Sequence, residues 1–168
     1  MNKILCLFLI FSCSFVVGKD KYDCIYKKNS KVDVTKKYPF NIATKIIWVS
    51  WKSDEEGMPK TIKDYTKEKI TWENFSDSVS ISNSNKGNLA DILFNYKYAV
   101  NGAYDLSSKC YIPRDAVLFL DKNGTLIDYV EMCFECTDYR LMTTKWKFDF
   151  CEGKLDLLKK YKVEQLKK

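Results

Sequence analysis

Residues 110–136 read CYIPRDAVLFLDKNGTLIDYVEMCFEC, two apolar runs either side of Asp121-Lys122-Asn123-Gly124. Asp, Asn and Gly reverse a chain, because Gly tolerates positive φ and the short polar side chains bond their own backbone. The stretch therefore predicts a β-hairpin. Ala116 to Leu120 is apolar on both faces, which suits an inner strand. The second run, Thr125 to Met132, alternates Leu126, Asp128, Val130 and Met132 against Ile127, Tyr129 and Glu131, the period of a pleated strand. If Leu120 pairs with Thr125 or Leu126, partner numbers sum to about 245 or 246. Cys110 then falls opposite Glu135 or Cys136. Pro113 disturbs the ladder there, since it has no N–H to donate. Cys110 and the Cys133-x-x-Cys136 pair nonetheless converge on one end of the sheet, and Cys151 joins them if the following segment folds back.

Three chemistries are open to Cys110, Cys133, Cys136 and Cys151. The first is disulfide formation, favoured if the chain is exported. The second is a four-thiolate metal site. The third is a redox-active Cys-x-x-Cys. Against the third, Glu135 lies between the thiols and its charge raises a thiol pKa. Residues 137–144 also lack a helical pattern that would place a helix N-terminus at the motif.

The N-terminus supplies the compartment. Lys3 precedes an apolar run from Ile4 to Val17, too short to span a bilayer comfortably, so residues 1–18 read as a signal peptide. Val16-Val17-Gly18 allows cleavage before Lys19, which predicts a periplasmic or extracellular protein. Ile10-Phe11-Ser12-Cys13 is a loose lipobox, so the alternative is a lipoprotein anchored through Cys13. That anchor is the one membrane contact expected. After cleavage five cysteines remain, at 24, 110, 133, 136 and 151. At least one is then unpaired or bonded between chains. Cys24 is either a free thiol or the partner of one of the later four.

The chain has 168 residues, 46% hydrophobic and 15% aromatic, which suits one packed domain. Its net charge is +6; without Lys3 the mature chain has 27 basic against 22 acidic residues, or +5. The excess is spread along the chain, reads as a solvated lysine-rich surface, and gives no expectation of nucleic-acid binding. Histidine is absent, which removes Ser-His-Asp and Cys-His nucleophiles, HExxH sites and mixed Cys/His zinc sites. No Walker loop or GxGxxG implies a cofactor.

Residues 19–43 are polar and lysine-rich, an N-terminal arm ending near Pro39. In Lys45–Lys52, Ile47, Val49 and Trp51 share one face of a strand and Ile46 and Trp48 the other. The acidic trio Asp54-Glu55-Glu56 reads as loop. Leu89, Ile92, Leu93 and Tyr96 mark the core face of a helix over 85–97, with Asn83 to Asn85 as candidate caps. Trp146, Phe148 and Phe150 alternate with Lys145, Lys147 and Asp149, predicting a half-buried strand over 145–150. A C-terminal helix follows, with Leu155, Leu158 and Tyr161 on one face and the lysines opposite. Cys151, at its start, is the best single candidate for a reactive thiol, because the helix dipole favours a thiolate there, but a bonded structural cysteine is the preferred reading at this position. Arg114 suits an anion or an ion pair with Asp115 or Glu131. Asp121-x-Asn123-Gly124 resembles the start of a calcium loop, but no further ligands follow. Asn74 and Asn123 head glycosylation sequons.

The set Cys110-Tyr111-x-Pro113-Arg114, the Asp-Lys-Asn-Gly turn, Cys133-Phe134-x-Cys136, and Cys151-Glu152 before Lys154-x-x-x-Leu158 resembles a group of small exported bacterial proteins of unknown function. The resemblance covers about the C-terminal third of the chain. It implies export, an α+β domain, and joint action of Cys110, Cys133, Cys136 and Cys151. It carries no activity across.

These readings converge on a single α+β domain over 44–168, with a mainly antiparallel sheet, a central β-hairpin and two packed helices. The function they point to is structural or binding, in an exported or envelope-associated protein without enzymatic activity. The alternative is thiol–disulfide or metal handling by the cysteine cluster.

Overall fold

The computed structural model describes residues 23–27, 31–52, 60–66, 70–99 and 111–167. The strands are β1 (Cys24–Tyr26), β2 (Lys45–Ser50), β3 (Asp77–Ser80), β4 (Tyr96–Tyr98), β5 (Asp115–Leu120), β6 (Leu126–Cys133) and β7 (Asp138–Leu141). The helices are α1 (Ile62–Thr66), α2 (Asn83–Asn95) and α3 (Glu152–Leu166). Five strands form one antiparallel sheet in the order β3-β2-β5-β6-β7, and β1 pairs with β4 in a second, two-stranded sheet. The chain is thus a single mixed α+β domain with the expected hairpin at its centre.

β5 is the innermost strand, and all six of its residues are buried. Its neighbours β2 and β6 bond it along both edges, which is why it is apolar on both faces. Alternation sorts the side chains into two cores. Ile46, Trp48, Val117, Phe119, Val130 and Met132 face α2 and α3, where they meet Leu89, Leu93, Leu155, Leu158 and Tyr161. Ile47, Val49, Trp51, Ala116, Leu118, Leu120 and Tyr129 face Ile62 of α1. Full burial of a Val, Leu, Ile, Phe or Met side chain contributes about 1.5–3 kcal/mol, and β2 and β5 carry such side chains on both faces.

The hairpin register departs from the simple ladder. Leu120 does pair with Leu126, but Phe119 pairs with Asp128, so a bulge lies between them and partners from there to Asp115–Met132 shift by one. The consequence is a switch of face. Leu126 packs in the α1-side core and Ile127 in the α2/α3-side core. Asp128 also points to the α2/α3 side, where it bonds Tyr38 and Trp146. The strict alternation of 126 with 128 expected from sequence is therefore broken at the turn end of β6.

Three other expectations need correction. Residues 145–150 alternate in burial as expected, with Trp146, Phe148 and Phe150 inside, but they form extended chain without ladder partners among the described residues. Tyr139 Oη donates to the Phe148 carbonyl at 2.9 Å, so a side chain holds the segment where a ladder was expected. The second helix ends at Asn95, and Tyr96 to Tyr98 turn into β4. Part of the 19–43 arm is docked on the domain: β1 pairs with β4, and Phe40 and Ala43 lie in the core.

α3 breaks the expected split of leucines inside and lysines outside at one position. Lys154 is fully buried, and its Nζ donates to the carbonyls of Leu93, at 2.8 Å, and Asp149. It therefore ties α3 to the end of α2 and to the extended segment. Further along, Asn85 Nδ2 donates to Gln165 Oε1 at 2.6 Å and Tyr161 Oη to the Asn85 carbonyl at 3.0 Å, which fixes the α2–α3 register with buried polar bonds.

Candidate functional site

Two cystine bridges occupy the positions singled out in the sequence. Cys133 and Cys136 are bonded to each other at the end of β6, and Cys24 is bonded to Cys151 across 127 positions of chain. Cys110 and Cys13 lie outside the described residues. The structure thus joins Cys133 with Cys136 and gives Cys151 a different partner, from the arm.

The Cys133–Cys136 loop is enclosed. Cys133 is fully buried and Cys136 is 5% exposed. The Cys136 N–H donates to Cys133 Sγ at 3.2 Å, and the Ile112 N–H to Cys136 Sγ at 3.4 Å. Phe134, between them, lies parallel to Trp48 of β2 with ring centroids 6.5 Å apart, and Lys159 of α3 sits 5.5 Å from its centroid. After Cys136 the chain turns through Thr137, at φ 52, straight into β7. No helix opens at the motif, so no helix N-terminus faces either sulfur.

Cys151 is the residue before α3, and Gly153 in the first turn lies against Cys24. Lys159, which meets Phe134, is eight residues further along, about 12 Å up the helix axis. The two bridges therefore sit at different levels of α3. Cys151 does not join the hairpin foot, and with its sulfur bonded to Cys24 it is not a free thiol. Among the described residues no group of three or more Cys, Asp or Glu side chains is arranged to hold a metal ion. Cys110, the fourth member of the set expected from the hairpin register, lies outside those residues.

Arg114 pairs with Glu135 across 3.9 Å on the exposed surface, not with Asp115 or Glu131. Asp121 Oδ1 accepts the N–H groups of Asn123 and Thr125, both at 2.8 Å, so this carboxylate caps the hairpin turn and is not half of a calcium loop. Gly124 supplies the positive φ, 81°, that the turn needs.

Sequence reasoning missed three buried carboxylates. Asp115 Oδ1 accepts Trp48 Nε1 at 2.8 Å and Ser50 Oγ at 2.7 Å, and pairs with Lys162 Nζ at 2.7 Å. Asp128 Oδ2 accepts Tyr38 Oη at 2.9 Å, Thr143 Oγ1 at 2.6 Å and Trp146 Nε1 at 3.1 Å, while its Oδ1 accepts the Tyr129 N–H. Glu131, 1% exposed, accepts the Ile62 N–H that opens α1. Burial raises the Glu131 carboxyl above the ordinary glutamate range, partly offset by the Ile62 N–H, Tyr111 and Arg140. Burial likewise raises the Tyr111 phenol, with the Glu131 charge adding to it. The signal was present in the sequence: Asp115, Asp128 and Glu131 are charged residues within strands that are otherwise apolar, and such residues are buried only with partners.

Among the described residues no helix is long and apolar enough to cross a membrane. Comparison with protein-family models, with curated proteins and with solved structures finds no match to this chain.

Proposed function

We propose that this chain is an exported or envelope-associated protein with a structural or binding role, in which the cysteines act as crosslinks. Export itself rests on the leader pattern, Lys3 followed by Ile4 to Val17. The observation that carries the reading is the Cys24–Cys151 bridge. It joins the arm to the start of the last helix, closing most of the domain into one covalent loop, and such bonds persist in oxidising compartments. The enclosure of Cys133 and Cys136 also supports a crosslinking role. A sulfur that exchanges disulfides must be reached by an attacking thiolate, and here both cysteines are buried, with the Ile112 N–H donating to Cys136 Sγ.

A second reading, thiol–disulfide exchange, is favoured by the Cys-x-x-Cys spacing itself, because the bond closes within four residues. Turnover separates the two. The oxidised protein is mixed with a small dithiol and a mixed-disulfide peptide, and peptide reduction is followed. The crosslink reading predicts no rate above the dithiol alone. A rate that is catalytic in the protein and lost in Cys133→Ser overturns it. Cell fractionation of the full chain, with the mass of its N-terminus, tests export: a start at Lys19 or an acylated Cys13 supports it, and an intact leader on cytoplasmic protein contradicts it.

A further inference from the structure

A trough of about 650 Å³ runs between residues 36–38 of the arm and 144–147 after β7. Its lining is Lys36, Lys37, Tyr38, Thr144, Lys145, Trp146 and Lys147, four cations and no carboxylate. All four lysines are exposed. Lys36 pairs with Asp33 at 3.5 Å. Lys37 and Lys145 lie instead over aromatic rings, 4.3 Å from the Phe94 centroid and 5.7 Å from that of Tyr38. Among the described residues none of Lys37, Lys145 and Lys147 has an acidic partner. Four lysines thus line one concavity, and its shape concentrates their field on whatever enters.

The two walls belong to segments far apart in sequence, and one buried group fixes both. Asp128 Oδ2 takes Tyr38 from the arm wall and Thr143 and Trp146 from the other. The alternation of 145–147 then sets the cations: Trp146 points in, so Lys145 and Lys147 share the outer side, about 6–7 Å apart. The spacing is thus held from below before any ligand arrives. A lysine ammonium binds phosphate oxygens as a point charge, and two facing pairs suit a ligand with more than one phosphate.

We propose that this trough binds a ligand carrying two or more closely spaced phosphate groups, with Lys36 and Lys37 on one wall and Lys145 and Lys147 on the other. Asp128 is a positioning residue beneath it. The inference does not depend on where the protein resides or on what its cysteines do.

The test is titration calorimetry of the oxidised, purified protein with inorganic tripolyphosphate at low salt. Vesicles of cardiolipin, whose headgroup carries two phosphates, in phosphatidylcholine form a parallel arm that separates a soluble phosphate ligand from a lipid headgroup. Saturable binding near one site per chain is expected in at least one arm. Replacing Lys145 and Lys147 together by Glu should weaken it tenfold or more, and Lys36→Gln with Lys37→Gln, from the opposite wall, should weaken it severalfold. Lys122→Glu with Lys160→Glu changes the net charge by the same amount as the first pair, at exposed positions outside the trough, and should change affinity less than twofold. Equal losses in the trough and control variants would mean general charge attraction and overturn the site. Absence of saturable binding in both arms would overturn it as well.

Discussion

At the scale of single residues, the molecule turns on acidic groups set inside strands. Glu131 is the one with a defined pH signature. Its native pKa is raised by burial, so the folded state holds the proton more tightly than the unfolded chain does. The stability this lends is complete below the ordinary glutamate pKa and is lost as pH rises through the native value. Glu131→Gln keeps an acceptor for the Ile62 N–H and removes the ionisation. Relative to the parent, the variant should gain stability as pH rises from about 4 to about 8, as read from denaturant midpoints; a difference that stays constant with pH would contradict the assignment. Asp128 acts differently, since one oxygen serves three side-chain donors. Asp128→Ala leaves those donors unpaired, each at a cost of about 1–3 kcal/mol where water cannot reach. An overall loss of about 3 kcal/mol or more is expected in urea unfolding, with altered Trp146 fluorescence. These residues were legible only as anomalies. Glu131 and Asp128 stand in a strand pattern that would bury them, but neither residue type nor spacing identifies Ile62, Tyr38 or Trp146 as the partner that makes burial tolerable.

At the scale of elements, the cystine bridges constrain very different lengths of chain. Cys24–Cys151 closes a loop of 127 positions and Cys133–Cys136 one of 3. The chain-entropy relation gives about 5 kcal/mol for the first and about 2 kcal/mol for the second, if the unfolded chain is otherwise free. The double variant Cys24→Ser/Cys151→Ser should therefore lose markedly more stability than Cys133→Ser/Cys136→Ser, measured in the same denaturant. Equal losses would indicate that the arm contributes little to the fold. Sequence pattern located β6, α2 and α3 by a period that burial enforces, and β2 and β5 as apolar runs buried on both faces. It did not locate the β1–β4 pairing. Cys24-Ile25-Tyr26 is too short to show a period, and its partner follows directly on a helix. The extended segment 145–150 misled for the opposite reason. Its alternation records which side chains are inside, and Trp146, Phe148 and Phe150 need only a core to point into, not a neighbouring ladder. The bulge beside Leu120 was equally hidden, since an extra residue in a hairpin changes register without changing composition.

At the scale of the whole molecule, the five-stranded sheet separates two cores, α2 and α3 cover one face, and α1 covers the other. The arm lies on the helical side, where Phe40 enters the core and Tyr38 reaches Asp128. This packing makes Cys24 a neighbour of α3 and keeps Cys151 from the hairpin foot. The hairpin register drew attention to the Cys133 end of the sheet, yet no local pattern could say that a cysteine in the polar arm would capture Cys151. The account as a whole rests on that arm being covalently tied to the last helix. The most direct test is peptide mapping by mass spectrometry of the unreduced protein, with free thiols alkylated before digestion. The account predicts a linked pair of peptides containing Cys24 and Cys151, and a peptide retaining an intact Cys133–Cys136 bond. Recovery of Cys24 as an alkylated thiol, or of Cys151 linked to Cys110, Cys133 or Cys136, would contradict it.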